Sequence, residues 1–162
     1  MKKIIILALC CLIFTGCTIR HTTETSFSES GTFITEETLP PQIPVEIYLP
    51  DENGESFLRT RHSISELDAG LIVAILIHEN VLNESIVLYS AEKMDNQLNL
   101  DFNQAFLDQL RTYGTAGERM MIGCVVNTFL NAYGVETVYI TVNGEIMESG
   151  HVIYDFPMGY FE

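Results

Sequence analysis

An abrupt change of pattern at residue 45 confines the foldable part of this chain to residues 45–162. In residues 18–44, seven Thr, three Ser and four Glu fill about half the positions, and Leu39-Pro40-Pro41-Gln42-Ile43-Pro44 closes the stretch. Such a segment buries too little apolar surface to offset the entropy of ordering it, so it reads as a flexible linker. As a coil it spans roughly 30 Å on average, and fully extended it reaches roughly 90 Å. From Val45 onward, apolar residues alternate with polar ones or recur at helical spacing. Residues 45–162 make one domain, long enough to bury a core.

Within that domain, Val45-Glu46-Ile47-Tyr48-Leu49 alternates as a strand, Asn53-Gly54 signals a hairpin turn, and residues 57–62 return as its partner. Ser63 or Ser65, with Glu66 or Asp68 three residues on, is placed to cap a helix over residues 65–79. The β-branched run at 71–77 also suits a buried strand; the cap and the span without an internal breaker after Gly70 favour the helix. Residues 86–91 and the Leu98/Leu100 alternation predict two strands about a turn at Asp95-Asn96. Asp101 with Gln104 is placed to cap a short helix carrying Phe106, Leu107 and Leu110. Thr115-Ala116-Gly117-Glu118 has the form of a capping box. It opens a helix that places Met120, Met121, Cys124, Val125, Thr128 and Phe129 at helical spacing, and Gly134 stops it. A strand over 137–142 then turns at Asn143-Gly144 into residues 145–147. The fold class is therefore α+β: a small mixed or antiparallel sheet with helices packed on one face. Its core is a split β-α-β-β-α-β with extra hairpin strands.

The amino terminus has a different job. Lys2 and Lys3 precede an unbroken apolar run over residues 4–14, and Gly16 stands before Cys17. Charge, short apolar core and small residue make a secretory signal over residues 1–16. A helix over the apolar run is about 16 Å long, too short to span a bilayer. With Cys17 at the cleavage point, the segment resembles a bacterial lipoprotein signal, which implies diacylation of Cys17 and an anchor on the extracytoplasmic face of the cell membrane. Losing Lys2 and Lys3 leaves six basic residues against 22 acidic ones. Such a surface repels nucleic acid and anionic headgroups, so no nucleic-acid partner is expected, and the membrane is reached only through the lipid. Cys10 and Cys11 go with the signal, so Cys124 is the one thiol left and reads as a small core residue.

Residues 115–144 carry a further resemblance. Gly117-Glu118, Val126-Asn127-Thr128-Phe129, Gly134-Val135, Val138 and Val142-Asn143-Gly144 resemble the GerMN domain of sporulation and spore-germination lipoproteins. Tyr48-Leu49-Pro50-Asp51 with Asn53-Gly54 fits the opening hairpin of that family, and Leu98-Asn99-Leu100-Asp101-Phe102 fits the strand entering its second half. The resemblance covers residues 45–155 and implies an assembly role in the cell envelope, with envelope proteins or further copies of the chain as partners. It carries over no catalytic residue.

The residues themselves point the same way. His78-Glu79 is not a zincin helix, because Leu82 stands four residues after His78. Twelve positions from Asp51 the chain has His62 rather than Glu, so the 51–55 turn is no EF-hand. No catalytic, cofactor or metal set is therefore expected. Glu118, Asn127, Thr128 and Gly144 read as structural motif residues. Arg59 and Arg61, alternate positions of one strand in a cation-poor chain, are expected contacts for a carboxylate-bearing partner or cell-wall polymer, or else a face neutralised by nearby acids. The leading reading is a non-enzymatic, membrane-anchored interaction module; the rival is an extracytoplasmic ligand- or cell-wall-binding module.

Overall fold

The computed structural model describes residues 42–162. The signal at 1–16, Cys17 and linker residues up to 41 lie outside them. The first strand starts two residues earlier than the pattern predicts: β1 (Ile43–Pro50) takes in Ile43 and Pro44. It pairs antiparallel with β2 (Phe57–Ile64) around a turn held by Asp51. Asp51 accepts hydrogen bonds from the N–H groups of Asn53 and Glu55 and from the Ser56 hydroxyl. The three donors, the Ser56 hydroxyl foremost, hold its carboxyl below the usual carboxylate value. The oxygen-rich loop is a hairpin turn.

Helix α1 (Ala69–His78) is capped by neither Ser63 nor Ser65. Asp68 is its N-cap, and its carboxylate accepts from the N–H of Leu71 at 2.9 Å. The helix therefore starts four residues later than predicted. Asp68 is the residue before the apolar run that both has extended backbone and carries an acceptor one turn from a free N–H. The run is helical and buries Ile72, Val73 and Leu76.

The second sheet has the order β3-β4-β5-β6-β7, with β3 (Leu88–Met94), β4 (Gln97–Phe102), β5 (Thr137–Val142), β6 (Glu145–Glu148) and β7 (Ile153–Tyr154). Its central pair, β4 and β5, is parallel and sets Leu98, Leu100 and Phe102 beside Val138, Ile140 and Val142. All six are buried, each contributing roughly 1.5–3 kcal/mol through the apolar surface it removes from water. Parallel neighbours need a crossover, and α2 (Gln104–Leu110) and α3 (Thr115–Tyr133) form it. The α2 cap differs from the Asp101 box. Asn103 is the N-cap residue, while Asp101 is occupied by Thr141 Oγ1 at 2.7 Å and by the N–H of Gly144 at 2.8 Å. That clasp fixes the β5–β6 turn, whose Asn143 and Gly144 both have positive φ, 54° and 78°.

The fold is α+β with two sheets and three helices. The opening hairpin remains a separate two-stranded sheet, because α3 lies between it and the larger one: Tyr48 of β1 donates its N–H to Thr128 of α3. Helix α3 ends at Gly134, at φ 58°, and Lys93 of β3 donates to the carbonyl of Tyr133 at 2.9 Å.

Candidate functional site

Helix α3 is the hub, and its buried polar residues each hold a different piece of chain. Thr128, fully buried, satisfies the edge N–H of Tyr48 at 2.9 Å. Asn127, also fully buried, uses both ends of its amide on one residue. Nδ2 donates to the carbonyl of Phe161 at 2.8 Å, and Oδ1 accepts from its N–H at 2.9 Å. The amide thus stands in for a strand neighbour and stitches the segment around Phe161 to the helix. Tyr160 meets Tyr48 edge-on with centroids 6.0 Å apart, and Arg119 lies 5.7 Å over the Phe161 ring while donating to the Glu162 carbonyl.

Glu118 is not the carboxylate of a capping box. The N-cap of α3 is Gly114, which has no side chain to exchange with, and Thr115 is already helical. Glu118 is instead buried, and its Oε1 accepts from Ser149 Oγ at 2.6 Å and Tyr154 Oη at 2.7 Å. It pins the β6–β7 arm to the helix start. Burial first, then the bond to Glu118, raises the Tyr154 phenol well above its ordinary range, so it remains a donor. Oε2 of Glu118 has no hydrogen-bond partner among the described residues.

Sequence patterning singles out none of four further residues of this hub: Gly123, Ser149, Tyr154 and Phe161. A Cβ built on Gly123 would overlap the Phe57 ring and fall 3.1 Å from Phe161 Cβ, so only glycine lets both side chains reach the helix. A glycine in a helix interior costs about 1 kcal/mol relative to alanine, and that cost is a legible signal of close packing. Nothing local marks Ser149, Tyr154 or Phe161, because their partners lie 31 to 36 residues away.

The surface is organised around its acids. Arg59 and Arg61 point from one face of β2 and both sit 3.6 Å from Glu46, whose single carboxylate they share, so it offsets one of the two charges at the hairpin surface. Neither comes near the Glu118 or Asn127 contacts. His62 Nε2 lies 3.2 Å from Glu79 Oε1, close enough for an ion pair but not aligned as a hydrogen bond. Among the described residues no three His, Cys, Asp or Glu side chains are grouped to hold a metal.

β6 is paired on both sides, by β5 and β7, and β1 is covered by β2 and by Thr128. The larger sheet ends on one side in β3, paired only with β4, and on the other in the two-residue β7, paired only with β6; β3 is the long edge. Around it Val87, Tyr89 and Met94 are exposed at 49%, 59% and 61%.

Several concavities lie beside the helices. A polar bowl of about 720 Å³ beside α2 is built around Gln109, whose amide already serves the Asn83 N–H and the Val81 carbonyl. A smaller, apolar cavity of about 290 Å³ lies against α3 and includes Cys124. Burial pushes that thiol up to about 12, so it is not a nucleophile.

Comparison with known proteins places this geometry. The family model described as "Germane: Sporulation and spore germination" matches residues 46–148. The fold is similar to the first GerMN domain of the sporulation protein GerM from Bacillus subtilis: TM-score 0.56 at 18% identity, over 72% of this chain and 97% of that one. It is also similar to the tandem GerMN domains of the same protein, with TM-score 0.50 at 17% identity over 80% of this chain. The chain spans about half of that tandem structure, 48% of its length. No curated protein matches the sequence.

Proposed function

This chain belongs to the Germane family of sporulation and spore germination, and from that premise we propose that it is a non-enzymatic envelope module, tethered by lipid at Cys17, that binds a protein partner in one of those processes. The observation that carries the reading is the open β3 edge. Its unpaired N–H and C=O groups and the exposed Val87, Tyr89 and Met94 offer a partner strand both hydrogen bonds and apolar contact. Natural sheets usually blunt such an edge with charge or proline; here Lys93 is turned to the Tyr133 carbonyl and Glu92 is the one acid of the strand, while Tyr89 and Met94 stay exposed beside it. The linker gives the domain a search radius of roughly 30 Å around its anchor. Confinement near the membrane raises the effective concentration, so a weak interface suffices.

A photo-crosslinking residue in place of Tyr89, introduced in intact cells, captures one predominant envelope protein if this is right. A bare result along the whole of 87–94 sinks the β3 interface. Replacing both Arg59 and Arg61 with Glu lowers that capture if the arginine face also contributes; undiminished recovery removes it. Cys17→Ala moves the chain from the membrane fraction to the soluble one, and a variant that stays with the membrane refutes the lipid anchor.

A further inference from the structure

Among the described residues, Met120, Met121, Met147 and Met158 are core side chains, at 6%, 5%, 0% and 3% exposure. Met94 is the exception, at 61%. It ends β3 opposite Gln97, beside a turn in which Asp95 has φ 54°. The register sets Met94, Gln97 and Asn99 on the sheet face opposite to the buried Leu98 and Leu100. The Met94 sulfur is held there. Asn99 donates from Nδ2 to Met94 Sδ at 3.2 Å, and Gln97 donates from Nε2 to Asn99 Oδ1 at 2.6 Å. The second bond engages the Asn99 carbonyl, so the amide presents its N–H to the thioether.

We propose that Met94 is a selective modification site, oxidised by small peroxides to one sulfoxide epimer, and that this oxidation closes the β3 edge to its partner. The effect on the partner rests on the β3 interface; the oxidation itself does not. A sulfur lone pair attacks one peroxide oxygen, so that the S–O bond forms as the O–O bond breaks. Sulfur gives up two electrons, and the departing hydroxide takes the remaining hydroxyl proton, so hydrogen peroxide yields sulfoxide and water. The core methionines are shielded from this attack by close packing. At Met94 the Asn99 N–H occupies one of the two sulfur lone pairs, and oxygen adds at the other, which fixes the hand of the product. The sulfoxide places a strong dipole where an apolar contact stood, and an interface that buries it unmet is weakened.

The test treats the folded full chain with dilute hydrogen peroxide and follows each methionine by peptide mass spectrometry. Met94 should gain one oxygen about tenfold faster, or more, than Met120, Met121, Met147 and Met158. In urea the five should react alike. Comparable rates in the folded chain overturn the site. Of the two epimer-specific methionine sulfoxide reductases, one should reverse most of the product and the other little. Asn99→Leu, on the uncovered face, should remove that bias. Equal reversal by both enzymes, or a bias that survives Asn99→Leu, overturns the orienting role of Asn99. In cells carrying the crosslinker at Tyr89, peroxide should lower capture severalfold, and Met94→Gln should do so without peroxide. Met94→Leu should keep its capture after peroxide. An equal fall in Met94→Leu, or full capture by Met94→Gln, overturns the effect on the partner. No capture by the untreated chain overturns the β3 interface and that effect with it, while the mass spectra still decide the site.

Discussion

At Glu118 one carboxylate oxygen takes two hydroxyl donors, from Ser149 and Tyr154, inside the protein. Removing it leaves both hydroxyls without that acceptor, and a buried unsatisfied group costs about 1–3 kcal/mol. Glu118→Ala should therefore destabilise the domain by about 2–4 kcal/mol in urea unfolding, and Tyr154→Phe by clearly less. Equal losses would mean that the tyrosine bond dominates. Asp51 presents the opposite setting, a carboxylate at the surface organised by donors around it. Its folded-state pKa lies below the ordinary value of 3.8, so its contribution to the turn is complete above that pH and disappears as pH falls through the lower, folded value. Ser56→Ala removes the leading donor. The Asp51 carboxyl, titrated by NMR, should then move up toward 3.8; an unmoved titration would show that the backbone N–H groups alone set it.

The elements show where local sequence decides structure and where distant chain overrides it. Gly123 is the contact point of α3 with both the β1–β2 hairpin and the Phe161 segment. Gly123→Ala gains helix propensity yet must push back the Phe57 ring, and overpacking of this kind costs about 1–3 kcal/mol. A loss of Tm is expected; a gain would show that Phe57 swings away freely. Alternation, turn residues and the glycine stop made the strands, α3 and the Asn143-Gly144 turn legible, because each is fixed by neighbours within a few residues. The capping boxes were misleading for a physical reason. Asp101 and Glu118 have the right spacing, but each finds better donors far along the chain, at Thr141 and Gly144 and at Ser149 and Tyr154. β7, only Ile153–Tyr154, left no mark in the pattern because two residues are too few to show a period. The roles of Asn127 and Thr128 needed the coordinates, since a mid-helix amide or hydroxyl does not say which strand it will serve.

For the molecule as a whole, charge is the dominant surface property, at net −14. The β3 edge, with Tyr89 and Met94 exposed beside Glu92 and Lys93, lies in that acidic field, and under the proposed interface a basic partner is the one that steering favours. Crosslinking from Tyr89 should fall severalfold as salt rises from about 0.05 to 0.5 M, where the Debye length shrinks to a few ångströms. Capture indifferent to salt would point to a contact made by the apolar residues alone.

The stitch between Asn127 and Phe161 has a consequence for how such a chain is made. A ribosome delivers α3 34 residues before the backbone group that its amide must hold, and β1 waits longer still for Tyr160. Until residue 161 arrives, a buried amide and the aromatic flank of the hairpin face water. Chains truncated before Phe161 should remain protease-sensitive, and those that include it should gain protection abruptly.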